Sequence, residues 1–346
     1  MNGRSTPEQL PDEFEPRRLL RRLGVVLVLL VVLVLAALLA PGLGEVRDRL
    51  EHAQPGWMVL AVAFEALSCL SYVVMFRPVF CREMSARTSA ELALSELAVG
   101  SIAPTSGASG LVLGAWVLRR GGMPAGRIAR RSVAFFEIKS AVNFVAVAVL
   151  GALMAAGVVG PHQSLLLTAL PAVMAAAVIV GVLVLPRLGP GAEPPEQASK
   201  LRRGAVAARR AIVNGTEEAI ELLRTGNLML IGGAIGYWAW DNAVLWATFH
   251  AFGASVPLST VLMGYLIGQL GGALPLPGGV GGIDGGLLGA LAVYGAPIAA
   301  AAAAVLAYRL ILFWLPLVTG GAAFLLLRRA LDRDDRPDLC EPSPAT

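Results

Sequence analysis

The chain reads as an all-α polytopic membrane protein with about six full transmembrane helices and two re-entrant, broken-helix hairpins. Three observations lead there. Its 346 residues are 56% hydrophobic and only 15% charged, with a mean hydropathy of +0.69, whereas about a quarter of a soluble domain is charged. Several apolar runs reach the ~20 residues that a helix needs to cross a bilayer. Two further apolar regions carry too much glycine and proline for continuous helix, since an interior glycine costs about 1 kcal/mol and a proline about 3.

Residues 1–23 are polar and end in Arg17, Arg18, Arg21 and Arg22. The apolar run at 24–40 is longer than the 7–15 residues of a signal-peptide core, so it is read as an uncleaved first helix. A polar loop at 41–55 follows. The second span, 56–76, has Glu65 at its middle. Residues 90–120 are broken at Pro104, Gly107 and Gly110 and read as the first hairpin. The third span, 132–159, carries Glu137, Lys139 and Asn143, and the fourth covers 165–185. Residues 187–226 form the main polar excursion, with a surface helix over 199–224. The fifth span, 228–252, holds Asp241, and the second hairpin occupies 258–295. The last span, 297–327, contains Arg309. The whole of 24–329 is thus one transmembrane domain, and 330–346 is a charged tail.

Basic clusters at 17–22, 77–87, 119–131, 187–224 and 328–336 contrast with the complete absence of Lys and Arg between Arg224 and Arg309. With six crossings and a cytoplasmic N-terminus, every cluster falls on the cytoplasmic side. Both termini are then cytoplasmic, and the expected location is the cytoplasmic (inner) membrane.

The broken regions resemble one another. Pro104-x-x-Gly107-x-x-Gly110 matches Pro275-x-x-Gly278-x-x-Gly281, and each is followed by G-x-P, at Gly122–Pro124 and Gly295–Pro297. Three crossings lie between them, so the second copy would enter from the opposite side. Inverted repeats with broken helices are a recurring transporter plan.

Within the second copy, PLPGGVGGIDGGLLGAL, then YGAP, then YRLILFWLPLVTGG resemble the lysylphosphatidylglycerol synthase transmembrane (flippase-like) family. Its pattern is P-x-P-G-G-x-G-x-x-E followed by Y-R-x-x-x-F-W-x-P. Asp284 stands here where that pattern has Glu. In members that make the lipid, a large cytoplasmic domain transfers the amino acid. Residues 330–346 hold no such domain, so the resemblance implies a stand-alone flippase-like member.

An intramembrane charge is costly and usually marks a pathway or a partner. The plainer reading, structural ion pairs, is preferred for Glu65 and Asp241. Glu137 and Lys139 lie two apart on a helix and must face different partners. Arg309, with Tyr308 and Asp284 from the family motif, is the strongest candidate, because a planar guanidinium suits a lipid phosphate. Helix N-termini freed by Pro104, Gly107, Pro275, Pro277, Gly278, Gly279 and Gly281 would add an anion site. The glycine run lacks the Lys-Ser/Thr of a nucleotide loop. Cys69, Cys81 and Cys340 show no disulfide or zinc spacing. No catalytic constellation, metal site, cofactor or nucleic-acid partner is expected.

The expectation is a flippase or transporter that moves a polar phospholipid or lipid-linked sugar between leaflets. Its partner would be a membrane lipid with an anionic or phosphate-bearing headgroup. A second copy of the chain, or an envelope-biosynthesis protein, is a compatible further partner. The rival readings are a non-transporting accessory subunit of a lipid or envelope-glycan enzyme, and a membrane enzyme acting on lipid phosphates.

Overall fold

The structure, a computed structural model, describes residues 16–39, 44–102, 108–189, 199–269 and 282–332. Among them are twelve α-helices and no strand. In chain order these are α1 (Pro16–Leu39), α2 (Gly44–Glu51), α3 (Pro55–Phe80), α4 (Ala86–Ile102), α5 (Ala108–Arg120), α6 (Ala125–Ala155), α7 (Leu165–Val184), α8 (Lys200–Arg224), α9 (Leu228–Ala251), α10 (Leu258–Gly268), α11 (Gly282–Val293) and α12 (Ile298–Asp332). The chain is a multi-pass membrane protein. Four segments are long and apolar enough to cross a bilayer: Pro55–Phe80, Ala125–Ala155, Leu165–Arg187 and Ile298–Leu331. The other two expected crossings correspond to α1 and α9, of 24 residues each.

Local chemistry explains where the helices begin and end. Pro55 lies at the first position of α3, where a missing N–H is no loss. Ser199 accepts from Arg202 N at 3.3 Å to cap α8, and Asn227 accepts from Met229 N and Leu230 N to cap α9. Two G-x-P turns close alike. Gly122 and Gly295 both sit at φ 92°. Met123 N donates to Leu118 O at 3.1 Å, as Ala296 N does to Leu291 O at 2.9 Å. This left-handed termination satisfies the last carbonyls of α5 and α11.

Some boundaries depart from expectation. The polar loop at 41–55 contains a short helix, α2. Helix α6 starts at Ala125 rather than 132, because the chain turns helical directly after Pro124, whose carbonyl accepts from Ile128 N. Cys81 takes part in a disulfide, which the spacing of the three cysteines did not suggest, while Cys69 is a buried free thiol. Each region read as a hairpin supplies two arms, α4 with α5 and α10 with α11. Pro104, Gly107, Pro275, Pro277, Gly278, Gly279 and Gly281 lie outside the described residues.

Helices α3 and α9 form the central pair. Trp57 meets Trp246 with ring centroids 5.3 Å apart, Phe64 stacks on Trp240 at 5.5 Å, and Ser68 Oγ donates to Tyr237 O at 3.2 Å. Met75 faces Gly233, where an added Cβ would lie 2.8 Å from the Met75 Cβ. Numbers rise along α3 as they fall along α9, so the two run antiparallel. One apolar core packs Phe249, Met263, Leu291 and Ala300 of α9–α12. A second packs Phe76, Phe80, Leu113 and Phe135 of α3–α6. Helix α1 joins separately, seating Val26 and Leu30 against Ile102 and Phe313. Helix α8 lies along α6, with Arg131 Nη2 2.6 Å from Glu218 Oε1.

Close approaches depend on glycine. A Cβ at Gly110 or Gly114 of α5 would overlap Glu96 of α4, and one at Gly320 of α12 would overlap Leu94 O. At Gly268 of α10 it would stand 2.6 Å from Leu287 Cα of α11. Gly181, by contrast, faces open space. Gly320→Ala and Gly268→Ala should therefore each lower stability by about 1–3 kcal/mol, as overpacking does, and Gly181→Ala should be neutral or stabilising by up to about 1 kcal/mol. Thermal unfolding in detergent distinguishes the three. Equal effects at all of them would contradict the packing.

Candidate functional site

A polar cavity of about 460 Å³ lies where the two apolar cores meet. Its walls come from the middle of α3 (Glu65, Ser68, Cys69, Tyr72), the middle of α9 (Tyr237, Asp241), α6 (Phe136, Lys139, Ser140) and α12 (Arg309, Leu312, Pro316). Residues from three of the shorter helices complete the lining: Gly100 and Ser101 in the last turn of α4 as described, Gln269 directly after α10, and Ile283 in the first turn of α11.

The charges arrive from different helices. Arg309 of α12 pairs with Asp284 of α11, Nε to Oδ1 at 2.6 Å. The turn through Gly295 folds α12 back on α11 and brings these two together across 25 positions. Asp241, 9% exposed, accepts from the hydroxyls of Tyr308, at 2.9 Å, and Tyr265. Glu96, 2% exposed, accepts from Tyr72 Oη at 2.9 Å. A carboxylate–tyrosine bridge thus joins each central helix to the first arm of the hairpin that follows it. The partners are 24 residues apart in both cases, with the roles of acid and tyrosine exchanged.

Lys139 is held differently. Its Nζ lies 5.5 Å from the Tyr237 ring centroid, 5.7 Å from that of Tyr72 and 5.8 Å from that of Phe136. Aromatic faces attract an ammonium group by their quadrupole without filling its hydrogen bonds. Glu96 is its electrostatic neighbour. Glu65, 5% exposed, accepts only a weak bond from Cys69 Sγ at 3.6 Å, and its Oε2 has no partner. Glu96 Oε1 is also unpartnered. The cavity therefore sets Glu65, Glu96 and Asp241 around Lys139 and Arg309, a lining able to receive both hydroxyl and anionic groups.

Of the residues singled out in the sequence, Arg309, Lys139, Asp284 and Tyr308 come together at or directly behind this cavity. Glu137 does not. It faces away on α6 and accepts from Thr216 of α8 at 2.8 Å, lining a separate, apolar groove of about 280 Å³ between α6, α7 and α8. Two residues on one helix two positions apart point apart, and here the second faces α8. Glu65 and Asp241, for which ion pairing was preferred, both line the cavity, and Asp241 is held by tyrosines. Glu96, Tyr72, Tyr237 and Tyr265 were not foreseen. An acid inside an apolar hairpin arm was the available signal for Glu96, while a tyrosine in an apolar run gives almost none. Among the described residues, no three His, Cys, Asp or Glu side chains are grouped to hold a metal ion.

Comparison with known proteins agrees with the motif. The chain is 24% identical over 324 residues to a UPF0104 membrane protein of Methanothermobacter thermautotrophicus, an alignment covering 87% of this chain and 94% of that one. The family model described as the lysylphosphatidylglycerol synthase TM region matches residues 22–320. With that match spanning most of the chain, from the first helix to the last, the protein belongs to the lysylphosphatidylglycerol synthase transmembrane family.

Proposed function

We propose that this protein is a lipid flippase or transporter that carries the headgroup of a polar phospholipid or lipid-linked sugar through the cavity between α3, α9 and the two hairpins. One observation carries the reading: a cavity of about 460 Å³ with charged walls, enclosed by helices whose outer faces are apolar. Gathering five ionisable groups, three of them buried and two half-buried, around an open space is costly when they serve only packing, since the same volume filled with apolar side chains is often as stable or more so. Lys139 and Arg309 would meet a phosphate. Glu65, Glu96 and Asp241 would take glycerol or sugar hydroxyls. The acyl chains stay in the bilayer.

The transport plan we propose is an inverted repeat. Its halves are α3–α6 and α9–α12, related about the crossing of the antiparallel α3–α9 pair near Ser68 and Tyr237. Supporting it are the paired tyrosine–carboxylate bridges and the identical φ of 92° at Gly122 and Gly295. Six full crossings, with the hairpins entering from opposite sides, would place both termini and the arginine-rich α8 in the cytoplasm of a cell with this protein in its inner membrane.

Topology is testable by labelling. In a variant stripped of native cysteines, a cysteine at Ser199 should react from the cytoplasmic side only and one at Glu45 from the outside only. Reaction of both from one side would end the six-crossing plan. Function is tested by leaflet-resolved lipid transfer in reconstituted vesicles, with each candidate lipid supplied singly. Lys139→Met should retain its melting temperature but lose about tenfold in transfer, equivalent to ~1.4 kcal/mol. Arg309→Ala and Asp284→Ala should each lose about 3–5 kcal/mol of stability by stranding a buried charge. The double variant should regain stability without regaining transfer, and Asp284→Glu should be tolerated. Recovery of transfer in the double variant would reduce the pair to a structural element, and transfer by Lys139→Met at the wild-type rate would remove Lys139 from the site.

A further inference from the structure

The headgroup reading gives Glu65 hydroxyls to meet but leaves its charge unanswered. Glu65 sits in the middle of α3, 5% exposed, beside the point where α3 crosses α9. Its Oε1 receives the Cys69 thiol at 3.6 Å and its Oε2 receives nothing. An ionised carboxylate so placed is strongly disfavoured unless a cation or several donors answer it. Several of the donors nearby are directed elsewhere. The hydroxyls of Tyr265 and Tyr308 point at Asp241, that of Tyr72 at Glu96, and the Nε of Arg309 at Asp284.

Every element packed around Glu65 adds to the balance. On its own helix are Cys69 and Tyr72. From α9 come Tyr237 and Asp241, the second an electrostatic neighbour of Glu65. Helix α4 brings Glu96, α6 brings Lys139, and α10 brings Tyr265. Helix α12 brings Tyr308 and Arg309, with Asp284 of α11 behind them. Among the described residues, the acids Glu65, Glu96, Asp241 and Asp284 thus share the two cavity cations Lys139 and Arg309. Asp284 answers Arg309, and Lys139 is the neighbour of Glu96. Asp241 also has two tyrosine hydroxyls and Arg309 as an electrostatic neighbour, so Glu65 is the less answered member of the acid couple across the central helix pair, and such a couple does not readily hold two negative charges at once. A metal is a poor answer, since no three ligating side chains converge among the described residues. A proton is the ligand that fits a two-carboxyl site.

We infer that Glu65 is a proton-binding site, and that loading and unloading it couples lipid passage to a proton gradient. The coupling rests on the transport reading above; the proton site itself does not. Water on one side of the membrane supplies the proton to the Glu65 carboxylate, giving the neutral acid, and water on the other side takes it back. The net change is one proton moved and no bond to carbon altered. Because the two acids stand on opposite members of the pair, a shift of α3 against α9 alters the distance between them and so the tendency of Glu65 to hold its proton. That is the physical link between headgroup movement and proton release.

Infrared titration of the full-length protein in nanodiscs reads the proton directly. The wild type should show a carboxylic-acid C=O band near neutral pH that disappears as the pH is raised. Glu65→Gln should lose it. Glu65→Asp, which keeps the acid, should retain a titrating band, so loss in the glutamine variant is not read from a misfolded protein. In vesicles carrying an acyl-labelled phosphatidylglycerol, an imposed pH gradient should change the transfer rate for the wild type, and this response should be lost in Glu65→Gln. Absence of the band, its persistence in Glu65→Gln, or an unaltered gradient response in that variant would each overturn the proposal. A Glu65-dependent band without any lipid transfer by the wild type would instead remove the transport reading, and the coupling with it.

Discussion

Charge inside hydrocarbon has to be answered inside the protein, and the architecture of this chain follows from how its buried charges are answered. Arg309 has Asp284, Asp241 has two tyrosine hydroxyls, Glu96 has one, and Lys139 has three aromatic faces. Apart from the Phe136 face three residues before Lys139, none of these answers is local in sequence. Each joins two elements, α11 to α12, α9 to α10 and α12, α3 to α4, and α6 to the α3–α9 pair. The polar contacts therefore tie the hairpin arms to the long helices at the same depth where they line a cavity. Removing one member strands another, which is why the site and the fold cannot be altered independently at Arg309 or Asp284.

The apolar cores alone would not specify this arrangement. Leucine and alanine faces pack in many registers inside a bilayer, where lipid tails compete on nearly equal terms with protein side chains. Register is instead set by glycines that admit one neighbour. Gly110 and Gly114 admit Glu96, Gly268 admits Leu287, and Gly320 admits Leu94. At Gly114 the same gap admits the Glu96 carboxylate itself, so one small residue fixes both a helix–helix contact and the position of a cavity charge.

Much of this was legible in the sequence, and the remainder was hidden for identifiable reasons. Apolar runs marked α3, α7, α9 and α12 to within about five residues at either end, while α1 and α6 begin well before their apolar runs because arginine-bearing turns precede them. The Asp284–Arg309 pairing could be anticipated because the motif supplies both residues and a turn between them. The opposite orientation of Glu137 and Lys139 followed from helical spacing. What could not be read was which helix each would face, since that depends on α8 lying along α6, a contact made by Glu218 with Arg131 and by Gly215 beneath Val133. Glu65 and Asp241 were undervalued because neither belongs to a recognisable motif. Their significance comes from standing near each other across an antiparallel pair. Tyr265 and Tyr72 carry no sequence signal as carboxylate partners until the 24-residue separation is seen twice in three dimensions.

Length explains why the hairpins bear on the cavity at all. Helices α10 and α11, of 11 and 12 residues, are about 17 and 18 Å long at 1.5 Å per residue, little more than half the ~30 Å hydrocarbon thickness. Helix α5, of 13 residues, reaches about 20 Å, and only α4, of 17 residues, reaches about 26 Å. Among the described residues these helices are shorter than a full crossing, and α5 and α11 each lead into a long helix, α6 or α12, through the turns at Gly122 and Gly295. A helix that ends inside a bilayer leaves terminal backbone groups without helical partners, and these can persist only against protein or water. Gln269, Ile283 and Ser101, at or beside the ends of three of these helices, line the polar cavity. The ends of these short helices and the buried charges thus share one polar space.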